Sequence, residues 1–510
     1  MEPESLTQPL LKREETHVLD FSHESNSKGK DDEFRKWLAE ELSEQFRIAG
    51  PMILVNLLQF SLNVTSLMFV GHLGELELSS SQIAFTTAQA TGLNVMMGLA
   101  SGLETLCGQA YGAKEYRLTG IFLQRAVVVL IIISIPISLV WWNMGPILLF
   151  IGQDPAISDG AQEFSRFLIP TLFATAFLQP LVKFLQIQSA VKAMAMFSAI
   201  TLAIHVPLCY LVIYHLGVGF RGAAIVSGIS QWINVLFLAS YVKSSTTFSK
   251  TWTGFSKVAF QDAYLFFRTA VPAAVMICSE FWCFDLLILF SGLLPNPELE
   301  TSSLSIGLNT IELAYMIIYG LSSAASTRVA NKLGAGLPSD AKAAVKLTMS
   351  VALVEGFTAA ILLLSLRNIF PYLFSSEPVV VSYVSSMVPF LAVIAVMDCC
   401  QGTLSGVARG CGWQDLGAYT NLCAFYGIGI PLGLLLSFHF HLHGYGLWGG
   451  IIAGQVVQTF LLSSITCTLN WQNLADEAAE RVHGAKDKQQ QDGARKKTII
   501  TENPSSMLLK

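Results

Sequence analysis

Twelve stretches of this sequence are each long and apolar enough to cross a lipid bilayer, and nothing else constrains its fold as strongly. They run roughly over 48–70, 82–106, 122–144, 164–185, 193–214, 219–241, 267–293, 304–326, 343–366, 379–401, 416–438 and 445–468. A spanning helix needs about 20 mostly apolar residues, and these runs are apolar on all sides, as lipid-embedded helices are. Pro51, Pro136, Pro180, Pro207, Pro272, Pro389 and Pro431 fall inside the runs or at their ends. In water such prolines would argue against helices; in a bundle, neighbouring helices re-satisfy the freed carbonyls. Only 13% of the residues are charged and 52% are hydrophobic, where a soluble domain carries about 25% charged residues. That is too little ionic surface for a soluble enzyme. A net charge of −5 offers no basic footprint for nucleic acid. The expected fold class is an all-α polytopic membrane protein, with the lipid bilayer as its surroundings and no nucleic-acid partner.

Residues 1–40 and 471–510 differ from the rest. They are rich in Glu, Asp, Lys, Ser and Gln, hold no sustained apolar period, and are expected to be largely disordered. No charged-then-apolar leader opens the sequence, so the first span is expected to act as its own signal. The loops after spans 1, 3, 5, 7, 9 and 11, with the helix ends beside them, hold only Arg166, Arg221 and Arg367. The other basic residues are expected in the tails, the opposite loops and their flanks, as with Lys114, Lys243, Lys257, Arg328, Lys332 and Lys346. The positive-inside rule then places both ends in the cytosol, as an even number of spans also requires. The nine cysteines sit in or beside spans and read as small buried hydrophobes. Asn63-Val64-Thr65 matches a glycosylation acceptor but lies inside span 1.

The sequence repeats itself. Arg47 and Pro51 recur as Arg268 and Pro272, and Gly71 as Gly292, all at an offset of 221. Gly112-Ala113 matches Gly334-Ala335 at 222, Pro170 and Leu185 match Pro389 and Leu404 at 219, and the Gly219/Gly222 pair matches Gly446/Gly449 at 227. Anchors in one order at a nearly constant offset divide the chain into an N-lobe over 41–243, a linker over 244–264 and a C-lobe over 265–470. Six spans per half make both halves enter from the same face. The expected relation is therefore a pseudo-two-fold axis along the membrane normal, the parallel type of transporter repeat, with a site between the halves.

Carboxylates at mid-bilayer cost several kcal/mol on insertion scales, so each needs a reason. Glu280 and Asp285 lie in span 7, Glu312 in span 8, Glu355 in span 9 and Asp398 in span 10. The repeat serves as an internal control. Glu280 corresponds to Gln59 and Asp398 to Gln179, so the second half carries acids where the first carries amides. A buried hydrogen bond could be served equally well by Gln. Only an acid can load a proton from an acidic compartment and release it toward a neutral one. Ion coupling is therefore expected at Glu280 and Asp398, with Asp285, which matches Val64, as a third candidate. Five residues of helix turn through about 140°, so Glu280 and Asp285 are not expected to share a face. Asn309, Glu312, Tyr315, Met316 and Tyr319 form one stripe on span 8. That stripe suits either a cavity for a partly aromatic, cationic ligand or a helix seam held by Tyr hydroxyls. Gln59, Gln179 and Gln401 are placed with the cavity. Glu104 is expected to pair with a nearby base such as Arg125 or Lys114, and Glu355 has no assigned role.

No P-loop, HExxH or Gly-x-Ser-x-Gly pattern occurs, so neither ATP hydrolysis nor enzyme chemistry is expected. His439, His441 and His443 alternate at the outer end of span 11 and read as an interfacial loop, not as a metal cluster. Glu4 before Leu10-Leu11 is a loose sorting signal.

Four segments carry a family resemblance: Glu104-Thr-Leu-Cys-Gly-Gln-Ala-Tyr-Gly-Ala113, Ser291-Gly-Leu-Leu-Pro-Asn-Pro-Glu-Leu-Glu-Thr301, Arg328-Val-Ala-Asn-Lys-Leu-Gly-Ala-Gly336 and Leu404-Ser-Gly-Val-Ala-Arg-Gly-Cys-Gly-Trp-Gln414. Over about 40–470 the chain resembles the multidrug and toxic compound extrusion family, in particular its plant detoxification branch. The resemblance implies two six-helix lobes around a V-shaped cavity and cation-driven antiport. It also places the coupling acids on helices 7 and 10, at Glu280 and Asp398. Ser66 stands where bacterial relatives carry an Asp, which weakens a sodium site in the first lobe. Lys332 stands where Glu is common, which puts a cytosolic salt bridge in doubt, and Asp285 replaces a usual Glu. The expected protein is a proton-coupled antiporter that needs no cofactor and acts as a monomer. It would export organic xenobiotics or secondary metabolites through the plasma or vacuolar membrane. An organic-acid or hormone carrier of the same fold and a lipid-intermediate flippase are the alternatives; both should show basic residues in the cavity.

Overall fold

The computed structural model describes residues 27–261, 263–374 and 377–502. Among the described residues every regular element is helical. In the N-lobe, α1 (Ser27–Gly71) is followed by α2, which joins Glu75–Ala88 to Asn94–Gly112 through a π-helical turn at Gln89–Leu93. The lobe continues with α3 (Tyr116–Trp142), α4 (Pro155–Ile187), α5 (Val191–His215) and α6 (Phe220–Ser244). The C-lobe holds α7 (Ala263–Ser291), α8 (Pro297–Gly334), α9 (Pro338–Leu366), α10 (Pro378–Cys411), α11 (Gln414–His439) and α12 (His443–Thr468). A last helix, α13 (Trp471–Glu502), follows. Each expected span coincides with one of α1–α12.

Eleven of the twelve meet a length-and-hydropathy criterion for crossing a membrane. The exception is α2, whose Gln82, Gln89, Asn94, Glu104 and Gln109 are tolerated because α2 packs against helices of both lobes. Local chemistry fixes several helix starts. Proline, already lacking the amide that a first turn leaves unbonded, opens α4, α8, α9 and α10. At α4, Asp154 also caps the amides of Ala156 and Ile157 at 2.8 and 3.2 Å. Pro51, Pro136, Pro180, Pro207, Pro272 and Pro389 all sit inside helices.

The repeat is visible in how the lobes meet. α1 packs on α8, α7 packs on α2, and α2 packs on α8. The two-fold exchanges the first two contacts and maps the third onto itself. The repeat anchors Gly112 and Gly334 lie at the end of that third contact. A Cβ on Gly112 would strike the carbonyl of Asn331, and one on Gly334 the carbonyl of Gln109. Glycine here is a requirement of the seam, because the two backbones touch. Gly334→Leu is expected to pry the lobes apart at this end and to cost about 1–3 kcal/mol of stability by overpacking. A lowered thermal midpoint in detergent, with faster thiol labelling of a cysteine at Ala330, is the expected result. A variant as stable and as closed as the parent would contradict the contact.

The tails differ from expectation. Residues 1–26, with the Glu4 and Leu10-Leu11 signal, lie outside the described residues, but 27–40 are helical and continue into α1. Residues 471–502 form α13, whose Trp471, Leu474, Ala475, Ala478 and Val482 are buried. Their spacing gives one apolar stripe, built largely from alanine and set among charges, so average composition concealed it. Trp471, Leu474, Ala475 and Ala478 join the C-lobe core that includes Trp413 and Leu333, and Val482 joins the core that includes Ala110 of the N-lobe. Arg481 donates to Gln109 Oε1 at 2.7 Å, and Lys486 pairs with Glu115 at 2.6 Å. The tail helix therefore bridges both lobes. The linker is docked as well: Phe248 is fully buried against Phe184 and Tyr241. Seven cysteines are buried as expected, but Cys423 and Cys467 are exposed.

Candidate functional site

Beyond the Gly112/Gly334 seam, on the side away from the chain ends, the lobes enclose a cavity in two connected parts that share Phe60, Gln89, Phe281, Glu312 and Tyr315. Its second part encloses about 1690 Å³, including the region open to solvent.

The C-lobe wall holds the two principal acids. Glu280 comes from the middle of α7 and Asp398 from α10, exposed by only 6% and 1%. They are joined by one amide group. Gln401 Nε2 donates to Glu280 Oε1 at 2.6 Å and to Asp398 Oδ1 at 3.3 Å. Gln455 of α12 donates to the same Asp398 oxygen at 2.5 Å. The network continues inward, with Gln458 donating to Gln401 Oε1 at 3.0 Å and to Asn421 Oδ1 at 2.8 Å. Asn421 in turn donates to the Met276 carbonyl at 2.8 Å. A buried acid pair at the cavity edge is thus backed by a hydrogen-bonded amide chain inside its own lobe. Gln401 itself is fully buried within this network and borders neither part of the cavity, one step behind the acids it holds. The polar network of α10 and α12 draws its side chain inward.

Asp285 and Glu280 both border the second part of the cavity, contrary to the expected split between faces. Side chains about 140° apart on α7 therefore both reach it. Asn309, Glu312 and Tyr315 border the same part. Gln59 and Gln179 border the N-lobe part with Tyr319 and Met316. The α8 stripe is also an aromatic strip, with Tyr315 and Tyr319 tilted to each other at a centroid distance of 6.1 Å and Phe281 edge-on to Tyr315 at 5.7 Å. It joins both expected roles, since the Tyr319 hydroxyl additionally accepts from Lys183 across the lobe boundary at 3.2 Å.

Glu104 finds neither Arg125 nor Lys114. It pairs with Lys183 of α4 at 2.5 Å and with Arg409 of α10 at 2.8 Å, all three being buried. Lys183, Arg409 and Arg328 therefore lie inside the bundle rather than on its flanks. Lys332 still joins an ion pair, because Glu41 of α1 supplies the acid at 3.1 Å and also contacts Arg328. The N-lobe has its own polar centre: Ser66 meets His205 at 3.0 Å and Ser227 at 3.1 Å, and His205 Nδ1 lies 2.8 Å from Ser230. Glu355 is half-buried on α9. His439 ends α11 and His443 opens α12, so the three histidines do not form the extended run that alternation would need.

Sequence reading missed Lys183, Arg409, His205 and Gln455. The usable signal was a polar residue in the interior of an apolar run. Lys183 within 164–185 satisfied it but was assigned to a flank.

A family model described as MatE matches residues 51–211 and 272–435, beginning at the two prolines that anchor the repeat. Protein DETOXIFICATION 16 of Arabidopsis thaliana is 50% identical over 446 residues, covering 88% of this chain and 92% of that protein. Protein DETOXIFICATION 17 of the same plant is 49% identical over 449 residues, covering 88% and 94%. The crystal structure of the eukaryotic MATE transporter AtDTX14 is similar with a TM-score of 0.85 at 47% identity, over 87% of this chain and 99% of that one. An outward-facing multidrug resistance MATE family transporter has a TM-score of 0.74 at 17% identity over 87% and 96%, a likeness of fold alone.

Proposed function

This chain belongs to the multidrug and toxic compound extrusion family of transporters, and we propose that it works as a proton-coupled antiporter. It exports organic xenobiotics or secondary metabolites from the cytosol, to the outside or into the vacuole, with both chain ends cytosolic. The observation that carries this reading is the single Gln401 amide holding both Glu280 and Asp398 at the edge of a cavity between lobes. The matching N-lobe positions hold Gln59 and Gln179, which give polarity without exchanging protons. Two acids sharing one donor form a single polar site in which their proton occupancies are linked. Proton occupancy there can bias the packing of α7 and α10, and thereby the lobe that carries them.

Glu280, Asp285 and Glu312 beside Phe281 and Tyr315 favour a neutral or cationic cargo with aromatic character. Lys183 borders the N-lobe part of the cavity with its charge matched by Glu104, and Arg409, paired with the same acid, borders neither part. The decisive measurement is substrate movement into proteoliposomes across an imposed pH jump, with a panel of dyes, alkaloids, flavonoids and carboxylates. Accumulation on the acidic side that a protonophore collapses is expected. Movement of every cargo indifferent to the pH gradient would overturn the reading.

A further inference from the structure

We propose that Arg409 is the positioning residue that ties the acid pair to the seal between the lobes, and that the Glu104–Arg409 ion pair is a latch released when the cavity opens toward the chain ends. The proposal rests on the reading of Glu280 and Asp398 as the proton-coupling pair.

The latch is asymmetric. Glu104 and Lys183 both belong to the N-lobe, whereas Arg409 belongs to the C-lobe. Glu104 gives one oxygen to each: Oε1 accepts from Lys183 at 2.5 Å and Oε2 from Arg409 Nε at 2.8 Å. When the lobes part, Lys183 stays with its acid and Arg409 leaves alone. A guanidinium stripped of its carboxylate in a buried place needs water or another acid. Arg409 therefore resists separation until one of these reaches it.

The connection to the acid pair runs along α10. Asp398 and Arg409 are three turns apart on one face. Gly402 and Gly406 between them, and Gly410 just after Arg409, press α10 onto α8. A Cβ would lie 2.7 Å from Ile318 at Gly402, 2.6 Å from Ser322 Oγ at Gly406, and 2.7 Å from the Ser326 carbonyl at Gly410. Small residues at this spacing let two helices pack closely and move as one body. Ser322 Oγ donates to the Gly402 carbonyl at 2.6 Å and accepts from Arg409 Nη2 at 2.9 Å. Gly402 follows Gln401, the residue that holds both acids. The path from proton site to latch is therefore acid pair, Gln401, Gly402, Ser322, Arg409, Glu104.

The charged and titratable groups within electrostatic reach of Arg409 are Glu104 from α2, Lys183 from α4, Glu280 from α7, and Tyr315 and Tyr319 from α8. Glu280 is joined to the guanidinium only through Gln401, Gly402 and Ser322, so ionised Glu280 adds a second negative charge on that side, which a proton removes. Proton occupancy and lobe separation thus act on one side chain.

The test uses the full-length chain in proteoliposomes with Cys423→Ser and Cys467→Ser and a reporter Ala274→Cys on the buried α7 face opposite Gly98. Labelling by a membrane-impermeant maleimide from the chain-end side is read across pH and normalised to a free thiol in solution. In the reporter background the normalised rate is expected to vary with pH. Arg409→Gln, which leaves Glu104 and Lys183 as a neutral pair, is expected to raise the rate about 5-fold or more and to make it flat with pH. Arg409→Lys keeps a charge for Glu104 and is expected to retain part of the pH response, as is the exchanged pair Glu104→Arg with Arg409→Glu. Arg409→Gln with the reporter background's rate and pH profile would overturn the latch, and so would an Arg409→Lys profile as flat as that of Arg409→Gln. If either result came with Glu280→Gln and Asp398→Asn abolishing pH-driven transport, the antiport reading would stand and the latch alone would fall. If those acid variants transported normally, the antiport reading would fall first.

Discussion

Glu280→Gln and Asp398→Asn are each expected to remove pH-driven accumulation while leaving the protein folded. One pH unit is worth about 1.4 kcal/mol per proton. A gradient of two units therefore supplies about 2.7 kcal/mol for each proton exchanged, enough for a roughly 100-fold concentration ratio of a cargo moved one-for-one without net charge. The amide variants fit the existing hydrogen bonds. Gln401 Nε2 would still find an oxygen at position 280, and the oxygen of an Asn at 398 would still accept from Gln401 and Gln455. What disappears is the proton. The accumulation ratio should fall from about 100 to near 1, whereas binding of an uncharged fluorescent cargo should change little. Glu280→Asp keeps a titratable group with a shorter reach and should retain part of the ratio. Steady accumulation ratios in proteoliposomes, measured beside a binding isotherm, separate these outcomes. A ratio unchanged in both amide variants would remove the acid pair from the mechanism.

The single and double variants also count protons. If each acid carries its own, either single variant leaves one proton coupled and a reduced gradient. If the pair titrates as a unit through the shared amide, either single variant abolishes coupling, because one macroscopic proton belongs to both carboxyls. The bridging geometry of Gln401 favours the second outcome.

The acid pair was legible in the sequence because the chain carries its own comparison: Gln59 and Gln179 show what the same positions look like without protons to move. The spans were legible for a similar reason. An apolar run such as 343–366 is bounded by the hydrophobic part of a helix that in fact begins at Pro338, where polar first turns are invisible to hydropathy. Other features could not be read along the chain. Arg409 lies 305 residues from Glu104, and no local pattern announces a partner in the other lobe. Glu104 was therefore assigned neighbours from its own half. Gln401 is a polar residue in an apolar run and reads as cavity lining, yet its partners include Gln458 of α12 inside the lobe. The α13 stripe was hidden for a third reason, since alanine and valine are weak hydropathy signals among charges and their burial depends on the surface they meet.

The largest stability effect is expected at Glu104, with an asymmetry that follows from charge counting. Among the described residues Glu104 is the one acid paired with two buried bases. Glu104→Gln leaves Lys183 and Arg409 facing each other without a counter-charge, and removal of one partner from a buried pair typically costs about 3–5 kcal/mol. Lys183→Met does the opposite. It leaves Glu104 and Arg409 as a neutral pair and forfeits the Lys183 hydrogen bonds to Gln186 at 3.4 Å and Tyr319 at 3.2 Å. That loss is worth about 1–2 kcal/mol. The sharper prediction concerns the double variant. Adding Lys183→Met to Glu104→Gln removes one of two opposed cations, so the second substitution should raise the thermal midpoint that the first lowered. Residues sharing one network are expected to break additivity in this way. Thermal unfolding in detergent, run on the parent, both single variants and the double, reads the sign directly. A double variant less stable than Glu104→Gln alone would show that packing of the Lys183 stem, not charge, sets the energetics of this contact.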